Sequence, residues 1–142
     1  MVQGILTSPE NRAWDDIDPT VWVETDGSGT EHRYLAWGNS KFYICELNED
    51  MISVKDLDGD GKITCGTQTD NADIINNQDG LESFTEAPWI YRRQDENNKY
   101  YGDYYLFYAY GWHEHMAYAT TNDLLHGSWD FGKVLMLPTA TS

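Results

Sequence analysis

The sequence predicts an all-β fold made of two consecutive four-stranded antiparallel units. Three observations predict it. Short β-prone runs recur along the chain, separated by Asp, Asn and Gly residues that are typical of tight turns. No segment of useful length shows the apolar period of a helix. The strand pattern of the first half returns in the second. With 142 residues, the chain has the length of a single domain.

The first unit covers residues 17–54. Its predicted strands are residues 21–24, 33–37, 41–47 and 51–54. The turn signal DGSG at 26–29 separates the first two strands, and GNS at 38–40 separates the second from the third. Each strand is therefore short and connected to the next by a tight turn, which favours antiparallel pairing.

Residues 55–83 interrupt this pattern. The segment is rich in Asp, Asn and Gly and poor in large apolar side chains. We therefore expect a long loop, and loops of this length are uncommon unless they serve a function or hold a metal.

The second unit covers residues 86–137. Its predicted strands are residues 89–93, 104–110, 116–120 and 129–134. It repeats the first unit: DPTVW at 18–22 corresponds to EAPWI at 86–90, and YLAW at 34–37 to YLFY at 105–108. A repeated four-stranded antiparallel unit is the pattern of β-propeller blades. A β-sandwich is the alternative on pattern alone.

The composition narrows the possible partners. The formal net charge is −15, with only 9 Lys and Arg residues. Nucleic acids and anionic membranes require basic surfaces, so we expect neither as a partner. Ten Tyr and six Trp residues suit sheet cores and sugar-binding clefts. The two cysteines, Cys45 and Cys65, could form a disulfide or remain free thiols.

Each unit opens with an acidic residue, then proline, then a β-strand. These acids are Asp18 and Glu86. In a propeller the first strand of each blade lines the central axis, so two such acids would face one cavity. Glycoside hydrolysis requires paired carboxylic groups, one to protonate the leaving oxygen and another to activate water.

The motifs around these acids resemble glycoside hydrolase family 43, whose catalytic domain is a five-bladed β-propeller. DIDPTVW at 16–22 is similar to the second-blade motif, and FTEAPWIY at 84–91 to the third-blade motif. The connecting stretches YLAWGN at 34–39 and ELNEDM at 46–51 are also similar. The resemblance is closest to β-xylosidases and α-L-arabinofuranosidases.

This resemblance implies a role for each acid. Glu86 would be the general acid, and Asp18 would orient it and tune its pKa. The family's general base belongs to a first-blade motif that this chain does not contain, and the later blades are also missing. Asp15 and Asp16 are nearby acids that could activate water, although we expect both to be solvated residues of the entry loop.

Aromatic side chains are candidates for a sugar platform, because the C–H faces of sugar rings stack on them. The candidates are Trp37, Trp89 and Trp112, with His113 beside the last. Core packing is the alternative for Trp37 and Trp89, and an ordinary loop position for His113.

The loop contains a calcium-type motif. DLDGDGKI at 56–63 matches the first eight positions of an EF-hand loop, in which alternate oxygens surround the ion. The ligands would be Asp56, Asp58, Asp60 and the Lys62 position. Thr67 stands where the family of such loops has a bidentate Glu, so Asp70 or Asp73 would have to complete the shell.

We therefore expect an inverting glycoside hydrolase acting on xylan- or arabinan-type oligosaccharides, with bound calcium. The alternatives are a non-catalytic carbohydrate-binding or remnant domain and a calcium-tied structural module. Two units leave sheet edges and apolar faces open, so we expect copies of the chain to associate. Residues 1–10 lack the features of a signal peptide, whereas the resemblance implies a secreted or periplasmic protein.

Overall fold

The computed structural model describes residues 15–137. Residues 1–10, on which the expectation about a signal peptide rests, lie outside the described residues. The described chain is all-β and folds into two sheets of five and four strands. It contains no helix long and apolar enough to cross a membrane.

The first sheet has the strand order β1-β2-β3-β5-β4. Its strands are β1 (Thr20–Thr25), β2 (Glu31–Trp37), β3 (Tyr43–Glu46), β4 (Cys65–Thr67) and β5 (Ile74–Asn76). β1, β2 and β3 pair antiparallel through the two predicted turns. β5 pairs antiparallel with β3, and β4 pairs parallel with β5.

The prediction of four antiparallel strands is wrong for this sheet. Residues 51–54, expected as the fourth strand, contribute only an isolated bridge between Val54 and Leu47. β5 takes the fourth position instead, because Ile74 and Ile75 bury their side chains completely or nearly so. The segment expected as a loop therefore contributes two short strands to the sheet.

The second sheet confirms the prediction of four antiparallel strands, in the order β6-β7-β8-β9. The strands are β6 (Phe84–Gln94), β7 (Tyr100–Tyr110), β8 (His115–Thr121) and β9 (Asp130–Met136). β6 and β7 are longer than predicted and form an extended hairpin. The register of β6 shifts on both sides of Glu86, where the strand bulges.

The main hydrophobic core lies between the two sheets. Ala36, Phe42 and Ile44 from the first sheet region pack with side chains of the second. The Phe42 ring meets both Phe84 and Trp129 edge-on, with centroids 5.6 and 5.8 Å apart. This burial fixes the two sheets against each other, since apolar contact of such rings contributes strongly to stability.

A buried polar cluster joins the sheets near the far end of β1. Glu24 accepts hydrogen bonds from Trp22 Nε1 at 3.1 Å, from Arg92 Nη1 at 3.1 Å and from the Tyr104 hydroxyl. Glu24 belongs to the first sheet, whereas Arg92 and Tyr104 belong to the second. The carboxylate is almost completely buried, so its charge depends on these partners.

Candidate functional site

A residue with a positive φ angle precedes a proline near the start of each sheet. Asp18 precedes Pro19 at the start of β1, and Ala87 precedes Pro88 in β6. Both residues have positive φ angles, 55° for Asp18 and 54° for Ala87. Such angles are uncommon outside glycine and often occur at functional sites. The conformational equivalent of Asp18 is thus Ala87, one residue after Glu86.

The turn at residues 38–40 holds both entry segments. Gly38 N donates to the Ile17 carbonyl at 3.0 Å, and Ser40 N donates to the Thr85 carbonyl at 2.6 Å. Each bond fixes the residue immediately before a predicted catalytic acid. Gly38 has a φ of 141°, and a Cβ there would overlap the Lys41 carbonyl oxygen, so the turn requires glycine.

Asn39, in the same turn, binds Glu86 directly. Its Nδ2 donates to Glu86 Oε2 at 2.9 Å. The Ser40 hydroxyl donates to Asn39 Oδ1 at 3.0 Å, so the amide presents its NH₂ group to the carboxylate. Asn39 is itself buried, which restricts its movement and thereby positions Glu86.

The environment of Glu86 favours its protonated form. Burial raises the pKa of the Glu86 carboxyl, and the negative charges of Glu114 and Asp18 raise it further. The hydrogen bond from Asn39 acts in the opposite direction. A carboxyl group with a raised pKa can remain protonated closer to neutral pH and serve as a general acid.

Glu114 reaches this region because the β7–β8 turn is fastened to the start of β6. Gly111 N donates to the Ser83 carbonyl at 2.8 Å, and the Thr85 hydroxyl donates to the Gly111 carbonyl at 3.1 Å. Glu114 closes this turn through its own N–H to the Gly111 carbonyl. The charges of two carboxylates, Asp18 and Glu114, therefore act on Glu86.

A surface pocket of about 270 Å³ adjoins Asp18. It is lined by Asp16, Ile17, Pro19 and Trp37. Trp37 Nε1 donates to Asp16 Oδ1 at 3.0 Å, and the indole stacks on Tyr43 with centroids 5.7 Å apart. The indole is thus held in a fixed orientation at the pocket wall. Neither Asp18 nor Glu86 belongs to the lining.

The other predicted platform residues lie elsewhere on the second sheet. Trp112 and His113 occupy the β7–β8 turn, at the same end of the sheet as Glu86, and their rings meet edge-on at 5.8 Å. Trp112 is 85 % exposed. Trp89 follows the bulge of β6 and is 68 % exposed, on the face that points away from the core.

The two alternative acids have different surroundings. Asp16 is exposed and borders the pocket, as expected for an entry-loop residue. Asp15 is not solvated as expected, because it is 5 % exposed and its carboxylate lies 4.0 Å from Lys41 Nζ.

The calcium-type motif folds into a compact turn around its acids. Ligand oxygens of Asp56, Asp58 and Asp60 all lie within 4.8 Å of one another. Asp56 accepts hydrogen bonds from Gly59 N at 2.6 Å and Gly61 N at 2.8 Å. These bonds lower the pKa of Asp56, which keeps the carboxylate ionised. Three carboxylates clustered in this way could hold a metal ion.

The residues expected to complete the calcium shell have other partners. Asp73 accepts from Leu57 N at 2.7 Å and Thr64 N at 2.8 Å, so it closes the base of the loop. Asp70 accepts from the Thr67 N–H and hydroxyl. Asn71 instead reaches the acids, since its Nδ2 donates to Asp58 Oδ2 at 3.0 Å.

Cys45 and Cys65 are both free thiols. They pair with opposite sides of Ile74, Cys45 from β3 and Cys65 from β4. Two strand spacings separate their Cα atoms by roughly 9–10 Å, beyond the limit of about 7 Å for a disulfide. The alternative of a bridge tying the loop to the first sheet is therefore excluded.

Sequence reasoning missed two residues of the acidic site, Asn39 and Glu114. Asn39 appeared only as part of a turn signal, and Glu114 was not singled out. A polar side chain in a Gly-Asn-Ser turn was the available signal for Asn39. Nothing in the local sequence distinguishes Glu114.

A comparison with known protein families finds no match for this chain, and a comparison with proteins of curated function finds none either.

Proposed function

We propose that this chain belongs to a glycoside hydrolase of the family 43 type, acting on β-xylosidic or α-L-arabinofuranosidic bonds with inversion. The observation that carries the proposal is the environment of Glu86. Burial and two neighbouring carboxylates raise its pKa, while Asn39 fixes its position. These are the requirements for a general acid that protonates a glycosidic oxygen.

In this mechanism the Glu86 carboxyl donates its proton to the leaving-group oxygen as the glycosidic bond breaks. The charge of Asp18 helps to keep the pKa of Glu86 raised. An inverting enzyme also needs a carboxylate that activates water, about 6.5–9.5 Å from the acid. Asp16, which borders the pocket, and Glu114, which acts on Glu86, are the candidates for that role.

The fold is compatible with this proposal. The second sheet has the strand order and antiparallel pairing of a propeller blade. We interpret the first sheet as a second blade to which β4 and the metal-type loop are added. The repeated entry turn before Pro19 and Pro88 supports this interpretation, since equivalent positions in two blades would share a conformation.

The test is hydrolysis of aryl β-xylosides and α-L-arabinofuranosides. Glu86→Gln should reduce the rate by about 10²–10⁴-fold for poor leaving groups, and much less for activated nitrophenyl groups, which need little protonation. Glu96→Gln, in the exposed turn between β6 and β7, serves as the matched control. Equal losses for both leaving groups would contradict the assignment of Glu86 as the acid.

A second candidate function is carbohydrate binding without hydrolysis. It is favoured by the Trp37 pocket, whose lining includes an oriented indole but neither predicted catalytic acid. In this case xylo-oligosaccharides should bind to the wild-type chain and release no product. Trp37→Ala should abolish binding, whereas Glu86→Gln should leave the affinity unchanged.

We also propose that the motif at residues 56–63 holds calcium as a structural ion. Asp56, Asp58 and Asp60 would supply carboxylate oxygens, and Lys62 its backbone carbonyl. Asn71 would contribute an amide oxygen after rotation of its side chain. The ion would offset the mutual repulsion of three clustered acids.

A further inference from the structure

The two carboxylate oxygens of Glu86 have different surroundings. Oε2 accepts a hydrogen bond from Asn39 Nδ2 at 2.9 Å, whereas Oε1 accepts none from the rest of residues 15–137. Within the same residues, the buried polar side-chain atoms without a hydrogen-bond partner are Asn77 Oδ1 and His115 Nδ1. Glu86 Oε1 is not among them, so solvent reaches it. One oxygen of Glu86 is therefore held by the protein, and the other is open.

Ser40 determines which end of the Asn39 amide meets Glu86. Its hydroxyl donates to Asn39 Oδ1 at 3.0 Å, so the NH₂ group is the end that faces the carboxylate. An amide NH₂ group donates hydrogen bonds and does not accept them. A proton on Glu86 Oε2 would compete with this N–H group for the same oxygen, whereas a proton on Oε1 has no such competitor.

Further hydrogen bonds hold the turn that carries Asn39 against the segment that carries Glu86. Ser40 N donates to the Thr85 carbonyl at 2.6 Å, immediately before Glu86 in the chain. Gln78 Nε2 donates to the Ser40 carbonyl at 3.1 Å from the segment that follows β5. Asn39 itself is 5 % exposed. Because the backbone and the side chains are both tied, the Asn39 amide cannot easily move away from the carboxylate.

Two opposed influences act on the ionisation of Glu86. Burial and the charges of Glu114 and Asp18 raise the pKa of Glu86, whereas the hydrogen bond from Asn39 lowers it. The first influences favour the neutral acid, and the Asn39 N–H group favours the carboxylate. A general acid needs both, because its proton must be present at the start of the reaction and must be released in the transition state.

We propose that Asn39 is a positioning residue that reserves Glu86 Oε1 for the transferable proton and stabilises the carboxylate that remains after the transfer. Asn39 lies outside the two motifs that contain the predicted acids, at residues 16–22 and 84–91. The control of the Glu86 proton follows from the hydrogen bonds alone, whereas its catalytic consequence rests on the proposed hydrolase function.

The role of Asn39 can be followed through the reaction. The bond between the anomeric carbon and the glycosidic oxygen breaks, and its electron pair passes to that oxygen, which takes the proton from Glu86 Oε1. Water adds to the anomeric carbon and gives a proton to the carboxylate that activates it. Glu86 is left as a carboxylate whose Oε2 still accepts the Asn39 N–H group. This hydrogen bond strengthens as negative charge develops on Glu86, so it favours the transition state over the ground state.

Carbon-13 NMR of the Glu86 carboxyl group tests the proposal without any substrate. The spectrum of Glu86→Gln identifies the resonance by its loss. Asn39→Ala removes the donor, and Asn39→Asp replaces it with a second carboxylate, so the pKa of Glu86 should be higher in both variants than in the wild-type chain. Asn97→Asp is the matched control, because it adds the same charge in the exposed turn between β6 and β7. It should leave the titration of Glu86 unchanged.

Ser40→Gly provides a second variant that leaves the buried Asn39 in place. Ser40 has a φ of 62°, which glycine adopts without strain, and the variant keeps the N–H group that binds Thr85. Loss of the hydroxyl frees the Asn39 amide to rotate. The pKa of Glu86 should therefore change in the same direction as in Asn39→Ala, but by less. Circular dichroism verifies that each variant folds.

Hydrolysis of aryl glycosides provides a second readout. Asn39→Ala should reduce kcat by about 10–100-fold for poor leaving groups, which corresponds to the loss of one hydrogen bond to a charged group. The loss should be much smaller for activated nitrophenyl groups, which need little protonation. The rate should fall even though a larger fraction of Glu86 is protonated at a given pH, because the carboxylate formed in the reaction has lost its donor.

An unchanged pKa of Glu86 in Asn39→Ala would overturn the proposal, because Asn39 would then not act on the carboxyl group. A lower pKa would also overturn it, since the amide oxygen rather than the NH₂ group would then face Glu86. Equal rate losses for poor and activated leaving groups would reduce Asn39 to a structural role. If the pKa rises as expected but the wild-type chain hydrolyses no glycoside, the hydrolase function fails and the control of the Glu86 proton by Asn39 stands.

Discussion

Glu24 is the residue whose loss should most weaken the junction between the two sheets. Glu24→Gln removes the charge and keeps the size of the side chain. Arg92 then loses its carboxylate partner, and the Tyr104 hydroxyl and Trp22 N–H lose a charged acceptor. The new amide NH₂ group could donate only to the Tyr104 hydroxyl, because the Arg92 and Trp22 N–H groups cannot accept a hydrogen bond.

The magnitude follows from the burial of the partners. Breaking a buried ion pair by removing one charge costs about 3–5 kcal/mol. The Glu24 side chain is 4 % exposed, but that of Arg92 is 24 % exposed and regains some hydration. We therefore expect the lower end, about 3 kcal/mol, which lowers the melting temperature by roughly 10 °C in a domain of this size.

Urea denaturation measures this effect. The midpoint should fall for Glu24→Gln while the slope stays unchanged, which identifies a loss of native-state stability. Glu31→Gln is the control, because Glu31 pairs with Arg33 at an exposed position and such pairs contribute only about 0–1 kcal/mol. If the two substitutions cost the same, the cluster does not hold the sheets together and the reasoning is refuted.

Three further predictions concern the site, the loop and the thiols. If the chain is a hydrolase, its activity should fall as the pH rises through the pKa of Glu86. Asp18→Asn removes a charge that raises this pKa, so it should move the alkaline limb to lower pH. An unmoved limb would contradict the coupling. Calcium at a hundredfold excess over its dissociation constant should stabilise the fold by about 2.7 kcal/mol and so raise the melting temperature. Asp58→Asn should reduce this rise. An equal rise in the wild-type and variant proteins would argue against the site. The native protein should react with one equivalent of a thiol reagent, at the exposed Cys65. Cys45 should not react, because its thiol is buried and burial raises its pKa to about 12. Two fast-reacting thiols would be inconsistent with the packing of β3.

The second sheet could be predicted from sequence because its strands are long and aromatic. Each strand alternates between core and outer side chains, as in Tyr104, Leu106 and Tyr108, which face the core. β4 and β5 could not be predicted, because each has three residues. Ile74 and Ile75 form an apolar pair too short to distinguish from a buried loop.

The candidate acids Asp18 and Glu86 could be proposed from motif similarity, but their surroundings could not. Asn39 approaches Glu86 because Ser40 binds the Thr85 carbonyl, and Glu114 does so because Gly111 binds Ser83. These bonds join segments far apart in sequence, so they depend on how the sheets pack rather than on any local pattern. The repeated turn at Asp18 and Ala87 is likewise visible only in the backbone angles.

The turn at residues 38–40 belongs to neither of the segments that carry the predicted acids, yet it binds both. A change at Gly38 would therefore displace Asp18 and Glu86 together, through Ile17 and Thr85. The effect of a substitution at either acid would then depend on whether Gly38 is also changed. The effects of such combined substitutions would therefore not be additive. Variation in one short hairpin can thus alter the spacing of two carboxylates without any substitution in the motifs that contain them.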